Sequence, residues 1–96
     1  MTNVILATIT GYCACNQCTS GLGITAAGNR PQAGFTVAGP RAYPFGSVCI
    51  IGSRRFVLQD RTAKRFDGRF DIYFSNHTAA KRFGRQTNLV IIITKP

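Results

Sequence analysis

Along most of the chain, apolar and polar positions alternate with a period of two, which predicts strands rather than helices. In residues 3–12, Val4, Leu6, Thr8 and Thr10 alternate with Ile5, Ala7, Ile9 and Gly11. Apolar side chains occupy both faces early and thin out later, as in a strand that starts buried and ends near a rim. Residues 34–38 form a second short strand, closed by Gly39-Pro40, and residues 42–46 a turn around Pro44 and Gly46. Residues 47–51 and 54–59 read as a hairpin joined by Gly52-Ser53. On its second strand Phe56 and Leu58 share a face with Asp60, which places this carboxylate at the mouth of a barrel or cleft. Residues 68–74 form the fifth strand, with Phe70, Ile72 and Phe74 on a core face and Arg69, Asp71 and Tyr73 opposite. Residues 75–84 predict a short helix with Ser75 as N-cap and Gly84 as its stop. Residues 88–94 are apolar on both faces, the pattern of a central, fully covered strand.

Six strands, one helical turn and short links fit a small, mostly β barrel. The 96 residues suffice for one domain, residues 1–96, with a single core. A hydrophobic content of 45% excludes a disordered chain. No apolar run reaches the roughly 18 residues needed to span a bilayer, so no membrane span is expected. Residues 1–10 lack a basic n-region and read as the first strand rather than a signal peptide. Export would then use a signal already removed, or phage lysis or virion assembly.

Charge narrows the partners. A formal net charge of +9 and a pI near 10.3 predict attraction to polyanions: nucleic acid, anionic lipid, or the anionic polymers of a cell wall. Nucleic-acid binding ranks low, because the basic residues are spread over loops without interleaved aromatics or a known module. The three acids are Asp60, Asp67 and Asp71, all in one stretch, with Arg61, Lys64, Arg65 and Arg69 among them. Asp67 reads as an ordinary ion-pair partner on a solvated loop; Asp60 and Asp71 read as functional. Arg41, Arg61 and Arg69 could meet substrate carboxylates, with solvated charge as the default.

Three of the four cysteines, Cys13, Cys15 and Cys18, follow the first strand in a long loop, residues 13–33; Cys49 is the fourth. A loop of this length is uncommon unless functional or cross-linked. Thiolates at this spacing can share a zinc ion, but the second C-x-x-C pair of a strong zinc signal is missing. A disulfide between Cys49 and one of the other three is the preferred expectation. No metal and no cofactor is expected.

With these elements placed, the chain resembles the three-aspartate (3D) domain of bacterial cell-wall proteins, a relative of the catalytic barrel of membrane-bound lytic transglycosylase A and, more remotely, of expansins. The resemblance runs over residues 10–93. It rests on Thr10-Gly11-Tyr12-Cys13-Ala14-Cys15 with Cys18, Gly23-Ile24-Thr25-Ala26, Val37-Ala38-Gly39-Pro40, the spacing of Asp60 and Asp71, and Asp71-Ile72-Tyr73-Phe74 followed by Ser75, His77, Ala80, Arg82, Phe83 and Gly84. It implies a six-stranded double-psi β-barrel with a groove for peptidoglycan glycan strands. It also implies that Asp71 is the acid/base of a transglycosylase, releasing 1,6-anhydro products, with Asp60 orienting substrate or Asp71. Because the nucleophile belongs to the substrate, a pair of carboxylates around an attacking water is not required. For Asp71 to donate a proton its pKa must rise, through burial or the neighbouring Asp60; Arg61 and Arg69 would oppose that.

The chain departs from the family pattern at Gly39, where the first of the three aspartates falls, and at Asp60-Arg61-Thr62-Ala63, which replaces a glycine-rich loop. Thr25, Tyr12, Tyr73, Arg61 and Arg69 are the expected substrate-binding residues, each weighed against turn or rim packing. His77, the only histidine, reads as a packing or capping residue. The resemblance implies action in the cell wall or periplasm, or in a phage virion. The alternatives are a non-catalytic wall-binding or virion structural protein on the same barrel, in contact with other virion proteins, and a nucleic-acid-type polyanion binder.

Overall fold

The computed structural model describes residues 1–13 and 24–94. Six strands form a closed barrel in the order β1-β5-β2-β4-β3-β6. These are β1 (Thr2–Tyr12), β2 (Thr36–Gly39), β3 (Val48–Ile51), β4 (Arg54–Arg61), β5 (Phe70–Tyr73) and β6 (Gln86–Ile93). Among the described residues, one short helix, α1 (His77–Phe83), follows β5, and one 3-10 turn (Lys64–Phe66) lies between β4 and β5. β1 runs parallel to β5 and β2 parallel to β4; the remaining neighbours are antiparallel. Parallel pairs need long crossovers: β2 reaches β4 through residues 40–53, which include β3, and β1 reaches β5 only after β2, β3 and β4. This is the mostly β, six-stranded double-psi barrel with one helix expected from the sequence. No helix among the described residues is long and apolar enough to cross a membrane.

The core follows from the two-residue period. Ile9, Val37, Cys49, Phe56, Leu58, Phe70, Val90 and Ile92 point inward and are essentially inaccessible to solvent. Closure of the sheet removes every edge, so the strands need no charged gatekeepers in their ladders. Two glycines let backbones approach where a side chain would not fit. A Cβ at Gly11 would lie 2.7 Å from Phe74 Cε2 and 2.9 Å from the Ala80 carbonyl, so α1 can seat directly on β1. A Cβ at Gly39 would lie 2.8 Å from Leu58 Cδ1 and 3.1 Å from Phe70 Cε2, inside the core.

Three expectations are corrected. The helix is capped by Asn76 rather than Ser75: the Asn76 side chain accepts from Ala79 N at 2.8 Å, satisfying a first-turn donor. Gly84 ends it, with φ +70°. β6 is not covered on both faces: its inner residues are buried, but Leu89 is 56% exposed, and so are Val4 (59%) and Leu6 (69%) on β1. Third, Asp60 does not share the face of Phe56 and Leu58. The β2–β4 register steps from Val37↔Leu58 to Ala38↔Asp60, so Gln59 is an extra residue on β4. This bulge reverses the alternation and turns Asp60 to the outer face.

Replacing Gly39 tests the packing directly. Gly39→Ala should cost roughly 1–3 kcal/mol by overpacking Leu58 and Phe70, read as a lower midpoint in urea unfolding. A midpoint unchanged from wild type would mean the core has room at this position.

Candidate functional site

The bulge aligns polar residues of three strands on one face, with Ala38 of β2 between two of them. Thr10 pairs with Asp71, Asp71 with Ala38 and Ala38 with Asp60, so the row runs across β1, β5, β2 and β4. Tyr12 and Tyr73, also paired, stand one step further along on the same face. The two carboxylates therefore share the outside of the barrel wall rather than its mouth. Tyr12 and Tyr73 meet edge to face, with ring centroids 5.4 Å apart.

Asp60 is held as an acceptor. It receives the Tyr12 hydroxyl at 3.0 Å, Ala26 N at 2.9 Å and Arg61 N at 2.9 Å. The loop carrying Ala26 is clamped by the bulged residue itself: Ala27 N donates to the Gln59 carbonyl, and Asn29 Nδ2 and Thr36 Oγ1 both donate to Gln59 Oε1. One extra residue thus turns Asp60 outward and anchors the loop that meets it. Thr25 serves this loop. It is buried, and its hydroxyl donates to Asn29 Oδ1 at 2.7 Å while accepting from Asn29 N at 3.3 Å.

Asp71 is held differently. Its Oδ1 accepts one hydrogen bond, from Thr10 Oγ1 at 3.1 Å. Burial, the largest effect, pushes its carboxyl up from 3.8 to about 6; the Thr10 bond opposes this and the charge of Asp60 adds to it. The Tyr12 phenol is also driven well above its ordinary value, first by burial and then by Asp60, so it stays a neutral donor. The site therefore pairs a fixed acceptor, Asp60, with a carboxyl that can hold or release a proton near neutral pH. That is the requirement for general acid/base chemistry.

The arginines are engaged elsewhere. Arg61 donates to the Pro40 carbonyl at 2.8 Å and stacks over Phe45, 4.1 Å from its centroid. Arg69 and Arg65 both lie over Phe66. Asp67 pairs with Arg41 at 3.2 Å, the exposed ion pair expected for it. The cationic opposition to a raised Asp71 pKa is thus absent among the causes of its shift.

The cysteine expectation changes. Cys49 is fully buried in the barrel core and carries a free thiol, so a disulfide through Cys49 is ruled out in this structure. Its inward position on β3, opposite Phe56, explains why; burial pushes the thiol up to about 12. Cys13 is buried beside α1, with Sγ 3.8 Å from His77 Nδ1. The predictions for Cys15 and Cys18 lie outside the described residues.

Sequence reasoning missed Thr10, Gln59 and the Ala26 amide. Thr10 was visible as an alternate neighbour of Tyr12, but its pairing with Asp71 depends on a parallel register that period-two patterning does not specify. A cleft of about 300 Å³ lies elsewhere, bounded by Ile9, Arg54, Phe56, Phe83, Gln86 and Asn88. It contains neither carboxylate, so its shape and the chemistry of the chain point to different places. The chemistry is the better guide, because the cleft offers no group that could exchange a proton near neutral pH.

No protein-family model matches the chain, and no curated protein matches it.

The raised Asp71 value has a thermodynamic consequence. The folded state holds this proton more tightly than the unfolded chain, so the group's contribution to stability is full below 3.8 and lost as pH rises through about 6. Asp71→Asn should be more stable than wild type by ~2–3 kcal/mol at pH 8, after partial screening, and close to wild type at pH 3. Urea unfolding of both proteins at the two pH values measures it; an equal difference at both would contradict the shift.

Proposed function

We propose that the chain is a peptidoglycan lytic transglycosylase that cuts the bond between N-acetylmuramic acid and N-acetylglucosamine. The observation that carries this reading is the unequal pair of acids. Asp71 is partly buried with its pKa near 6, and Asp60 is saturated by three donors. A single carboxyl of that kind can serve twice. Protonated Asp71 donates to the glycosidic oxygen as the bond to the muramoyl anomeric carbon breaks. The resulting carboxylate then accepts the proton of the muramoyl 6-hydroxyl as that oxygen attacks the same carbon. The product is a 1,6-anhydro ring, Asp71 is protonated again, and no water is consumed. Two carboxylates around an attacking water would be needed for hydrolysis.

The remaining residues take supporting roles. Burial holds the Asp71 proton, and Asp60, oriented by Tyr12 and Ala26, adds to that through its charge. Tyr73 offers its ring for sugar stacking, while the buried Tyr12 packs edge to face against it. The net charge of +9 favours an anionic wall. The resemblance to three-aspartate domains points the same way and to a cell-wall or phage-borne setting.

A non-catalytic wall-binding or virion protein on the same barrel is the second reading, and Gly39 favours it. The three-aspartate pattern has an acid at this position, but here a side chain would enter the core against Leu58 and Phe70. The groove therefore works with two acids or binds without turnover.

Incubation with peptidoglycan sacculi, followed by mass spectrometry, separates the readings. Wild type should release 1,6-anhydro muropeptides, with kcat/KM falling as pH rises through about 6, while Asp71→Asn should lose roughly a thousandfold or more of the rate. Sacculi that bind the protein without product would leave the binding reading. Reducing ends in place of anhydro ends would make water the nucleophile and Asp60 its base.

A further inference from the structure

Cys13 and His77 meet where β1 and α1 join. Cys13 directly follows β1, and His77 opens α1. Both elements are held in place: α1 seats on β1 where Gly11 leaves room, and Phe74 N donates to the Tyr12 carbonyl at 2.7 Å. Cys13 Sγ lies 3.8 Å from His77 Nδ1, across 64 residues of chain. Cys13 is buried and His77 partly so. The separation is long for a strong hydrogen bond. It is close to that of two donors on one tetrahedral zinc ion, where bonds of about 2.3 Å to sulfur and about 2.1 Å to nitrogen set the donors about 3.6 Å apart.

We infer that Cys13 and His77 are two donors of a structural zinc site that ties the end of β1 to α1. The cysteine spacing alone is a weak zinc signal because it lacks a second pair; the fold brings a nitrogen donor from α1. Other donors are accounted for. Asp60, Asp67 and Asp71 have the partners described above, and Cys49 lies in the core opposite Phe56. What remains in the chain is three cysteines and one histidine, the number and type of donors in a Cys3His structural shell. No third donor stands with the pair among the described residues. Cys15 and Cys18, outside those residues, are two and five positions along, so the chain tethers them within roughly 7 and 18 Å of Cys13. A disulfide would use two of these three thiols and leave one over. A zinc ion with four protein donors has no open position for substrate, so the site is independent of the reaction proposed at Asp71.

Elemental analysis of the full chain, equilibrated with zinc under reducing conditions and then desalted, tests this. The expected result is one zinc per chain, with an X-ray absorption shell of mainly sulfur at about 2.3 Å and one nitrogen at about 2.1 Å. Cys13→Ser and His77→Ala should each retain roughly a tenth of an equivalent or less, while Cys49→Ala should retain the full equivalent. Circular dichroism checks that each variant folds. A chelator should lower the thermal midpoint of wild type and leave that of His77→Ala unchanged. A wild-type chain that leaves the column without zinc overturns the inference. So does zinc retained in full by His77→Ala, which would be adventitious, or mass spectrometry of non-reduced protein that finds Cys13 in a disulfide.

Discussion

One extra residue on β4 governs the arrangement of this molecule's polar chemistry. Without the bulge at Gln59, strict alternation would carry Asp60 inward behind Phe56 and Leu58, where an unpaired carboxylate would cost several kcal/mol or be neutralised. With it, Asp60 joins Ala38, Asp71 and Thr10 in a row across four strands. The same residue offers its carbonyl and side-chain oxygens to the loop that brings Ala26 N to Asp60. Bulges that re-aim a side chain beside a functional surface are a recurrent device of β proteins, and here the device also anchors the loop.

The electrostatics follow from scarcity. With three acids among 96 residues, each acid's surroundings can be traced individually. Asp67 is spent on an exposed pair with Arg41, which contributes little to stability. Asp60 is spent on three donors. Asp71 has one hydroxyl, substantial burial and a like charge for a neighbour, and its carboxyl rises accordingly. The nearby arginines Arg61 and Arg69 lie over Phe45 and Phe66 rather than pairing with Asp71.

Much of the fold was legible because closed barrels impose the two-residue period everywhere. Phe56, Leu58, Phe70 and Ile72 declared their inward face by alternation alone, and Gly52-Ser53 marked the hairpin. The concentration of acids marked Asp60 and Asp71. What stayed hidden depends on register. A one-residue bulge reverses a face without changing composition, so Asp60 was assigned to the wrong side of its strand. The pairing of Thr10 with Asp71 spans most of the chain and leaves no local trace. Asn76 rather than Ser75 caps α1, a choice between two adjacent good caps that only backbone geometry decides. Cys49 looked like a cross-linking cysteine because it was the one left to pair with the three in the loop; its place opposite Phe56 on an inward row makes it a small core side chain.

The central claim is that burial, with the charge of Asp60 beside it, raises the Asp71 carboxyl to where it can take up and release a proton near pH 6. Titration of its side-chain carboxyl carbon by NMR, on selectively labelled protein from pH 3 to 8, reads this without relying on substrate or on unfolding. The account predicts a midpoint near 6, moving down when Asp60→Asn removes the neighbouring charge. A midpoint near 3.8, the ordinary carboxyl value, would leave almost no protonated Asp71 between pH 6 and 7 and remove the basis for acid catalysis at this site.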